Sequence, residues 1–321
     1  MMSRACIHIV FACALASIAL GMKATAEGPP GVVVTTRTGR VAVNLQGRTQ
    51  ITIAPRQVSI PSPDGKLTLF VREQAPAGLC LASVQPDGSH GEVRHLIDAS
   101  EKPADIQWLA DSQRFVCAYG EHWSMQVYLM EITAEKVTAT RLSNGLKRSY
   151  SPRVSSDGQI AWLTWKDSKL KQSFIDLNVI ANPGGAPKPL VQDEDITAIA
   201  WSPDGKRIAY SERGELNIME VATAQQQSRN YTAVDEKLYA HHAVSLAWSP
   251  DGESLAAVLK FSGGRSFAHG DDPPVILGDR NAFIIPVEPE GQATALSFDS
   301  ETLTIEWRTA ADSPGTLEGQ G

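Results

Sequence analysis

Short runs of apolar and polar residues alternate along most of the chain, and each run is only a few residues long. Leu67–Val71 and Phe115–Tyr119 are examples that follow a turn, and Ile196–Trp201 is an apolar run that precedes one. Brief runs of this kind, rich in β-branched and aromatic residues, predict β-strands. Helical periodicity is weak throughout. The pattern therefore predicts an all-β protein, because a parallel α/β sheet would need crossover helices.

An acidic residue, usually followed by glycine, separates pairs of these runs at nearly constant intervals. The steps between successive acidic residues are 47, 46, 47 and 47 residues. Asp-Gly between two apolar runs predicts a β-hairpin, because glycine adopts a positive φ and aspartate accepts hydrogen bonds from nearby backbone amides. The repeat positions are Asp64-Gly65, Asp111, Asp157-Gly158, Asp204-Gly205 and Asp251-Gly252. A sixth, weaker copy is expected in FDSETLTIEW, with its turn at Asp299.

Each period has room for two more strands after its hairpin. The first copy offers Leu79–Val84 and Val93–Ile97, and the fourth offers Glu215–Val221 and roughly Ser228–Val234. Four short strands in about 47 residues match the size of one β-propeller blade. The repeat therefore predicts a propeller built from four-stranded antiparallel blades.

The two ends of the chain supply the remaining strands. Val32–Thr36, Arg40–Leu45 and Thr49–Ala54 precede the first repeat, and Leu303–Arg308 follows the last. Because a ring should not leave an open sheet edge, we expect these four strands to form one composite blade. The prediction is a six-bladed propeller over residues 31–310, and the alternative is five blades with frayed ends. Residues 311–321 are polar and glycine-rich and predict a flexible tail.

The first 26 residues have the pattern of a secretory signal peptide. Arg4 precedes an apolar run from Ala5 to Met22, and Ala24-Thr25-Ala26 offers a small-x-small cleavage site. The alternative is an uncleaved anchor, since a run of about 18 residues is at the lower limit for crossing a bilayer. We expect cleavage, a periplasmic or secreted location, and no stable membrane span afterwards.

Composition and charge restrict the classes of partner. Apolar residues make up 42% and charged residues 20% of the chain, which excludes a disordered tail and a membrane bundle. Cleavage after Ala26 leaves 27 basic and 36 acidic side chains, a net charge of −9, which argues against nucleic acid. Cys80 and Cys117 remain after cleavage. They are expected either to form a disulfide or to be two separate buried thiols.

The tryptophan-containing copies point to a known family. WSPDG occurs at Trp201–Gly205 and again at Trp248–Gly252, and SPDG occurs at Ser62–Gly65. Repeated at this spacing behind a signal peptide, these motifs resemble the WD40-like repeats of the TolB propeller family. The resemblance covers residues 31–310 and implies a propeller closed by strands from both termini. The α/β domain that precedes the propeller in TolB is expected to be absent, because about 30 residues separate Ala26 from the first repeat.

Most conspicuous residues have a structural interpretation. Trp108, Trp201 and Trp248 occupy equivalent positions before the turn, where an aromatic wedge between blades explains them best. Stacking on a carbohydrate is the alternative. The regular spacing of the turn aspartates, and their pairing with glycine, favours a structural role over a catalytic one.

Binding candidates lie on the loops opposite the Asp-Gly turns, because rigid scaffolds carry function on such loops. The chain has no G-x-S-x-G, H-E-x-x-H, P-loop or CxxC motif, so no catalytic residue, cofactor or metal site is predicted. The segment between Phe261 and Ala282 is unusually long and is either functional or disordered. The candidates for ligand or partner binding are His122, Trp123, Trp165, Lys166, Arg213, His241, His242, Arg265, His269 and Asp271.

These observations favour a non-catalytic function. We expect an exported, monomeric propeller that serves as an interaction platform for another protein of the cell envelope. The alternative is a propeller that binds a small ligand or carbohydrate, as a lyase or hydrolase with its site at the channel mouth. In that case His122, Lys166, Arg213, His241 and His269 would converge on one pocket. A purely structural envelope component is a third hypothesis.

Overall fold

The structure is a computed structural model dominated by β-strands. It describes residues 31–307 except for 37–39, 46–48, 54–58, 87–88, 102, 122, 144–146, 168–172, 231–239, 262–265, 268–274, 277–279, 289–290, 292 and 297–301. The predicted signal peptide and the predicted tail therefore lie outside the described residues. Among those described, the helical part is a single 3₁₀ turn, η1, at Ala99–Glu101, and no helix is long and apolar enough to cross a membrane.

Six four-stranded antiparallel sheets form the blades of a propeller, which confirms the predicted all-β class and blade number. In blades 1 to 4 the strands follow one another in chain order from the innermost to the outermost. Blade 1 contains β4 (Ser59–Pro61), β5 (Leu67–Arg72), β6 (Gly78–Val84) and β7 (His90–Asp98). Blade 2 contains β8 (Ala104–Trp108), β9 (Arg114–Tyr119), β10 (Gln126–Ile132) and β11 (Val137–Arg141). Blade 3 contains β12 (Ser149–Val154), β13 (Ile160–Asp167), β14 (Ser173–Ile180) and β15 (Lys188–Glu194).

Blade 4 is in chain order, and blade 5 carries a long insertion between its second and third strands. Blade 4 contains β16 (Ile196–Trp201), β17 (Arg207–Glu212), β18 (Glu215–Glu220) and β19 (Gln226–Asn230). The outer strand β19 thus begins two residues before the predicted Ser228, and the predicted end at Val234 lies outside the described residues. Blade 5 contains β20 (Ala240–Trp248), β21 (Ser254–Phe261), β24 (Arg280–Pro286) and β25 (Thr294–Leu296). The long segment between β21 and β24 carries a small ribbon of its own, formed by β22 (Ser266–Phe267) and β23 (Val275–Ile276).

The composite blade joins the two ends of the chain, as the sequence predicts. Its strands are β1 (Gly31–Thr36), β2 (Arg40–Asn44), β3 (Thr49–Ile53) and β26 (Thr302–Trp307), in the spatial order β26-β1-β2-β3. Val34 of β1 is opposite Ile305 of β26 in an antiparallel ladder, and Val32 is opposite Trp307. The last described strand is therefore the innermost strand of the blade in which the chain begins.

Hydrophobic clusters fill the spaces between successive blades. One cluster joins blade 1 to blade 2 through Leu69, Leu81, Trp108 and Phe115, all of which are almost fully buried. Similar clusters join blades 2 and 3, 3 and 4, 4 and 5, and blade 5 with the composite blade. Burial of this kind is the main stabilising term in a fold whose sheets pack face to face.

Tryptophans on the inner strands add a hydrogen bond to this packing. The indole N–H of Trp108 donates to the carbonyl oxygen of Ile60 in the preceding blade, at 2.8 Å. Three more tryptophans make the same bond at 3.1 Å, with the pairs Trp201–Arg153, Trp248–Ala200 and Trp307–Ala247. Each indole ring therefore fills space between two blades. Its hydrogen bond also fixes the position of one inner strand relative to the next.

The position of Trp307 corrects the predicted sixth repeat. Trp307 lies on an innermost strand and bonds to blade 5 as the other tryptophans bond to their neighbours. In the three copies that have a tryptophan before the turn, it precedes the acidic residue by three residues, whereas Trp307 follows Asp299 by eight. The marker of the sixth blade is therefore Trp307, and the choice of Asp299 as the equivalent turn residue was wrong.

The acid-glycine turns are closed by a repeated set of hydrogen bonds. In blade 4 the Ser202 hydroxyl donates to Oδ1 of Asp204 at 2.5 Å, and the Lys206 amide donates to the same oxygen at 3.1 Å. Gly205 has a φ of +70°, and a Cβ there would lie 2.9 Å from Oδ1 of Asp157 in the neighbouring turn. The same serine–aspartate bond occurs at Ser62–Asp64, Ser155–Asp157 and Ser249–Asp251. In blade 2, where leucine replaces the serine, Asp111 binds the amides of Gln113 and Arg114 instead.

The two cysteines lie on different blades. Cys80 on β6 and Cys117 on β9 are both buried and free. Burial raises the pKa of both thiols, so each behaves as a small apolar side chain rather than as a nucleophile. Of the two arrangements suggested by the sequence, the structure has the buried thiols.

Candidate functional site

A cavity of about 190 Å³ lies in the central channel, at the end where the inner strands begin. This is the end opposite the Asp-Gly turns, because each turn follows the last residue of an inner strand. Its described lining comes from blades 2 to 5 and from the residue just before β12. The lining residues are Asp105, Arg148, Tyr150, Ser151, Arg153, Thr197, Ala198, Ile199, Val244, Ser245 and Leu246.

Irregularities in the inner strands shape this cavity. The ladders between inner and second strands shift register near the same place in blades 2, 3, 4 and 5. Asp105 and Ser151 lie at two of these shifts with φ values of 51° and 52°. A positive φ is costly for residues other than glycine, and bulges of this type turn side chains and backbone groups away from the regular ladder. Here they face the channel.

Two arginines dominate the charge of the cavity. The guanidinium of Arg148 lies over the ring of Tyr150, 4.7 Å from its centroid. Arg153 donates from Nη1 to the carbonyl oxygen of Pro152 at 2.9 Å, and the same nitrogen is 3.8 Å from Oδ1 of Asp105. Burial, together with the negative charge of Asp105, raises the pKa of Tyr150 although Arg148 opposes it. The phenol is therefore a neutral hydrogen-bonding group at physiological pH.

An aromatic patch lies beside the channel on the same face. We define the rim patch as Trp123 in the β9–β10 loop, Trp165 on β13 and Lys147 before β12. The two indole rings are tilted at 49° with centroids 6.3 Å apart, and Nζ of Lys147 is 5.8 Å from the Trp165 ring. Trp123 is 71% exposed, the highest value among large apolar side chains in the described part of the chain.

Lys166 is next to the rim patch, but its ammonium group forms ion pairs with two neighbouring carboxylates. Its Nζ is 2.6 Å from Oδ2 of Asp176 and 3.3 Å from Oδ1 of Asp193. Burial opposes the ammonium charge, but the hydrogen bonds and charges of the two aspartates outweigh it and raise the pKa of Lys166. Lys166 is therefore a charged group that links β13 to β14 and β15 through its ion pairs.

Arg213 belongs to a second charged group, at the junction of blades 3 and 4. Its Nη2 is 3.6 Å from Oε2 of Glu194, which ends β15. Glu212 ends β17 beside it. Burial, and then hydrogen bonding and repulsion with Glu194, raises the pKa of Glu212 to about 7. Glu212 is therefore a neutral group beside Glu194 below neutral pH and adds a second negative charge there above it.

A wider groove lies away from the channel, between the outer parts of blades 1 and 2. It has a volume of about 610 Å³, and its lining includes His95, Asp98, Tyr119 and Lys136. Nε2 of His95 is 3.1 Å from Oδ1 of Asp98, and its Nδ1 is 3.8 Å from Sγ of Cys80. Burial raises the pKa of that thiol, which disfavours the thiolate that nucleophilic chemistry at this Cys-His-Asp arrangement would require.

The ten candidate residues are distributed over several places. Trp123, Trp165, Lys166 and Arg213 lie on the channel-mouth face in blades 2 to 4, in the two groups described above. His241 and His242 lie on β20, where His242 is partly buried and opposite Lys260. His122, Arg265, His269 and Asp271 lie outside the described residues. The described lining of the channel cavity contains none of the five basic residues proposed to converge there.

The residues that do line the cavity were partly foreseeable. Arg148 and Tyr150 lie where the inner strand of blade 3 begins, on the face opposite the Asp-Gly turns where the sequence places the binding loops. Asp105, Arg153 and Thr197 were missed because they lie on inner strands, where side chains are expected to pack, rather than on loops. One signal was available: each lies four to seven residues before the acidic residue of its turn, so aligning the copies groups them in one stretch of the repeat.

Comparisons with known proteins agree with the architecture. No family model matches the chain. A segment of 121 residues, 36% of this chain, is 26% identical to a protein of Cryptococcus neoformans named probable cytosolic iron-sulfur protein assembly protein 1, and spans only 26% of that protein. A match of this extent identifies neither a family nor a function.

Solved structures give matches over most of the chain. TolB from Acinetobacter baumannii matches with a TM-score of 0.52 and 17% identity, covering 87% of this chain and 66% of that protein. A TolB candidate from Agrobacterium tumefaciens matches with a TM-score of 0.53 and 13% identity, covering 88% of this chain and 99% of that one. A puromycin-hydrolysing peptidase of Mycobacterium tuberculosis matches with a TM-score of 0.51 and 14% identity. The match covers 83% of this chain and 43% of the peptidase. At these identities the likeness concerns the fold alone. Together with six four-stranded blades and a composite blade formed by both ends of the chain, it shows that this protein has the fold of a TolB-like β-propeller.

Proposed function

We propose that this propeller is an exported, non-catalytic platform that binds another protein of the cell envelope through its channel-mouth face. The observation that carries the proposal is the rim patch, where an indole that is 71% exposed lies beside a second indole and a lysine. An exposed patch of aromatic side chains often marks an interaction site. Tryptophan is also enriched among the residues that contribute most to protein–protein binding.

The chemistry of the patch suggests the kind of protein that would bind it. Trp123 and Trp165 offer apolar rings, and Lys147 supplies a positive charge above one of them. A partner segment with an apolar anchor and an adjacent carboxylate would satisfy both. The TolB-like fold supports this proposal, because its rigid blades hold the loops of this face in place. Export is part of the proposal and rests on the pattern of residues 1–26.

Site-specific photocrosslinking tests the binding surface. A photoreactive amino acid replaces Trp123 in one variant and Val93 in a matched control, because Val93 is also exposed, at 37%, but lies on the outer strand of blade 1. We expect discrete crosslinked envelope proteins from position 123 that purified unlabelled propeller competes away. The same products should decrease at least fivefold when Trp165→Ala is added. Equal crosslinking at both positions, or no competition, would contradict the proposal.

Export has its own test. Mass spectrometry of the protein from fractionated cells should find a mature N-terminus at Glu27, in the fraction outside the cytoplasm. Full-length protein retained in the cytoplasm would overturn this part of the proposal and leave the rim patch without an envelope partner.

A further inference from the structure

The channel cavity has an excess of positive charge. Arg148 and Arg153 line it, and Asp105 is the one carboxylate among its described lining residues. The rest of the described lining is apolar or carries hydroxyl groups, from Tyr150, Ser151, Thr197 and Ser245. Two guanidinium groups and one carboxylate give the described lining a net charge of about +1 in a partly enclosed space, which favours an anion. Asp195, whose charge also acts on the Tyr150 phenol, is not among the lining residues.

Arg148 is held in place, and one of its nitrogen atoms lacks an acceptor among the described residues. Its guanidinium stacks on Tyr150 at 4.7 Å, which limits its rotation. Its Nε atom is buried and has no hydrogen-bond partner among the described residues. A buried N–H of a charged group that lacks an acceptor is unfavourable, and in native proteins such a group calls for a specific explanation. A bound acceptor supplies one.

Arg153 is only loosely neutralised. Nη1 lies 3.8 Å from Oδ1 of Asp105, too long for a hydrogen bond, and makes its short bond to a backbone carbonyl instead. Asp105 is itself positioned by the Ser151 amide, which donates to Oδ2 at 3.3 Å. The guanidinium has five N–H donors in a planar fork, which suits a ligand with two oxygen atoms.

The backbone around these groups is strained. Asp105 and Ser151, on neighbouring inner strands, both have a positive φ although neither is glycine. Strain of this type persists where the surrounding structure enforces it, and it concentrates at binding sites. Four inner strands shift register at the same level, so the distortion is a property of the site rather than of one blade.

We propose that the channel cavity binds a small oxyanion, a carboxylate or a phosphate, between the guanidinium groups of Arg148 and Arg153. A volume of about 190 Å³ corresponds to roughly six water molecules, which sets the size of the ligand. Tyr150 supplies a hydroxyl donor at the wall, whereas the Thr197 hydroxyl already donates to the carbonyl oxygen of Ala243 at 2.7 Å. This site is distinct from the rim patch, so the inference does not depend on a protein partner.

Calorimetric titration of the full chain tests the inference. The probes are inorganic phosphate and malonate, in separate titrations at constant ionic strength. We expect saturable binding of one ion per chain with Kd below about 1 mM for at least one probe, and the stronger probe identifies the anion class. Arg148→Gln should weaken binding at least tenfold. Arg114→Gln is the matched control, because Arg114 is ion-paired with Asp111 at a turn on the opposite face and should leave Kd unchanged.

Two further measurements guard against a folding artefact. Arg148→Lys keeps the charge but lacks the planar fork, so we expect a fold as stable as the wild type with at least fivefold weaker binding. In ¹H–¹⁵N spectra of the Nε–Hε groups, the Arg148 signal should shift on addition of the bound probe. Absence of saturable binding of both probes up to 20 mM, or equal binding by Arg148→Gln and the wild type, would overturn the inference.

Discussion

The indole N–H of Trp307 donates a hydrogen bond to the carbonyl oxygen of Ala247 across 3.1 Å. This contact joins the last described strand of the chain to the inner strand of blade 5. Ile305, two residues earlier, is buried in the cluster that the composite blade shares with blade 5. The stability of the ring should therefore depend on residues close to the C-terminus.

Substitutions of Trp307 measure that dependence. Trp307→Phe keeps most of the apolar ring and loses the hydrogen bond, so we expect the free energy of unfolding to fall by about 1 kcal/mol. Trp307→Ala also removes the ring, and the expected loss is about 3 kcal/mol. Urea denaturation gives both values. Trp123→Ala, at an exposed position, should change stability by less than about 0.5 kcal/mol. A neutral Trp307→Ala variant would show that the composite blade contributes little to the fold.

The turn aspartates predict a loss of stability in acid. At Asp204 burial favours the neutral form, but hydrogen bonds from Ser202 and the Lys206 amide and the charge of Arg207 outweigh it and lower the pKa. The pKa values of Asp64 and Asp111 are lowered as well. A carboxyl group whose pKa is lower in the folded state stabilises the fold above the unfolded value of roughly 3.9. That stability is lost as the pH falls below this value.

Asp204→Asn should therefore be less stable than the wild type by about 1 kcal/mol at pH 7, and the difference should shrink between pH 4 and pH 2. Urea midpoints at several pH values provide the measurement. The matched control is Glu131→Gln, an exposed site on β10. A difference that stays constant with pH would mean that the charge of Asp204 does not contribute.

The Glu194–Glu212 pair predicts the opposite dependence. The pKa of Glu212 is raised to about 7, first by burial and then by Glu194. Because this pKa is above that of an unfolded glutamate, roughly 4.3, the folded state binds the proton of Glu212 more tightly. The free energy of unfolding therefore falls as the pH rises from about 4 to about 7. Glu212→Gln should be at least as stable as the wild type at pH 4 and more stable at pH 8. Glu215→Gln, at an exposed site on the same hairpin, should show a much smaller gain.

The hairpin at Arg213 predicts a conflict between stability and function. Arg213 and Gly214 form a two-residue turn with φ values of 44° and 85°, a geometry that favours Asn-Gly. Arg213→Asn should raise the free energy of unfolding by roughly 0.5 kcal/mol, since the lost ion pair with Glu194 is largely exposed. Gly214→Ala should lower it by about 1 kcal/mol or more. If Arg213 contacts a partner, the stabilised Arg213→Asn variant will bind it less tightly in the same crosslinking assay. A destabilised Arg213→Asn variant would contradict the turn assignment.

Most of the fold could be predicted from local pattern, because each blade is specified by a turn and a few alternating residues. β1 and β26 begin one residue before their predicted starts and β2 ends one residue before its predicted end, while the predicted ends of β3 and β26 lie outside the described residues. The error at Asp299 arose from aligning on the turn alone. The apolar-x-Trp pattern of Ile199–Trp201 and Leu246–Trp248 recurs at Ile305–Trp307 and gives the correct alignment.

The candidate site was less predictable, because it depends on contacts between blades. Period-two alternation does not show that Asp105 and Ser151 leave the regular ladder. Nor does it show that Arg153 lies 3.8 Å from a carboxylate 48 residues earlier in the chain. Isolated loop residues such as Trp123 were identifiable from their type and position, but the pairing of Lys166 with Asp176 and Asp193 needed coordinates.

The ladder between β1 and β26 has a consequence for protein synthesis. A ribosome translates β26 more than 260 residues after β1, so Val34 has no inner neighbour until that much more of the chain has been made. Any nascent or prematurely terminated chain exposes the edge of β1 meanwhile. Until translation reaches Trp307, the composite blade lacks its innermost strand, and an unpaired strand edge of this kind favours aggregation.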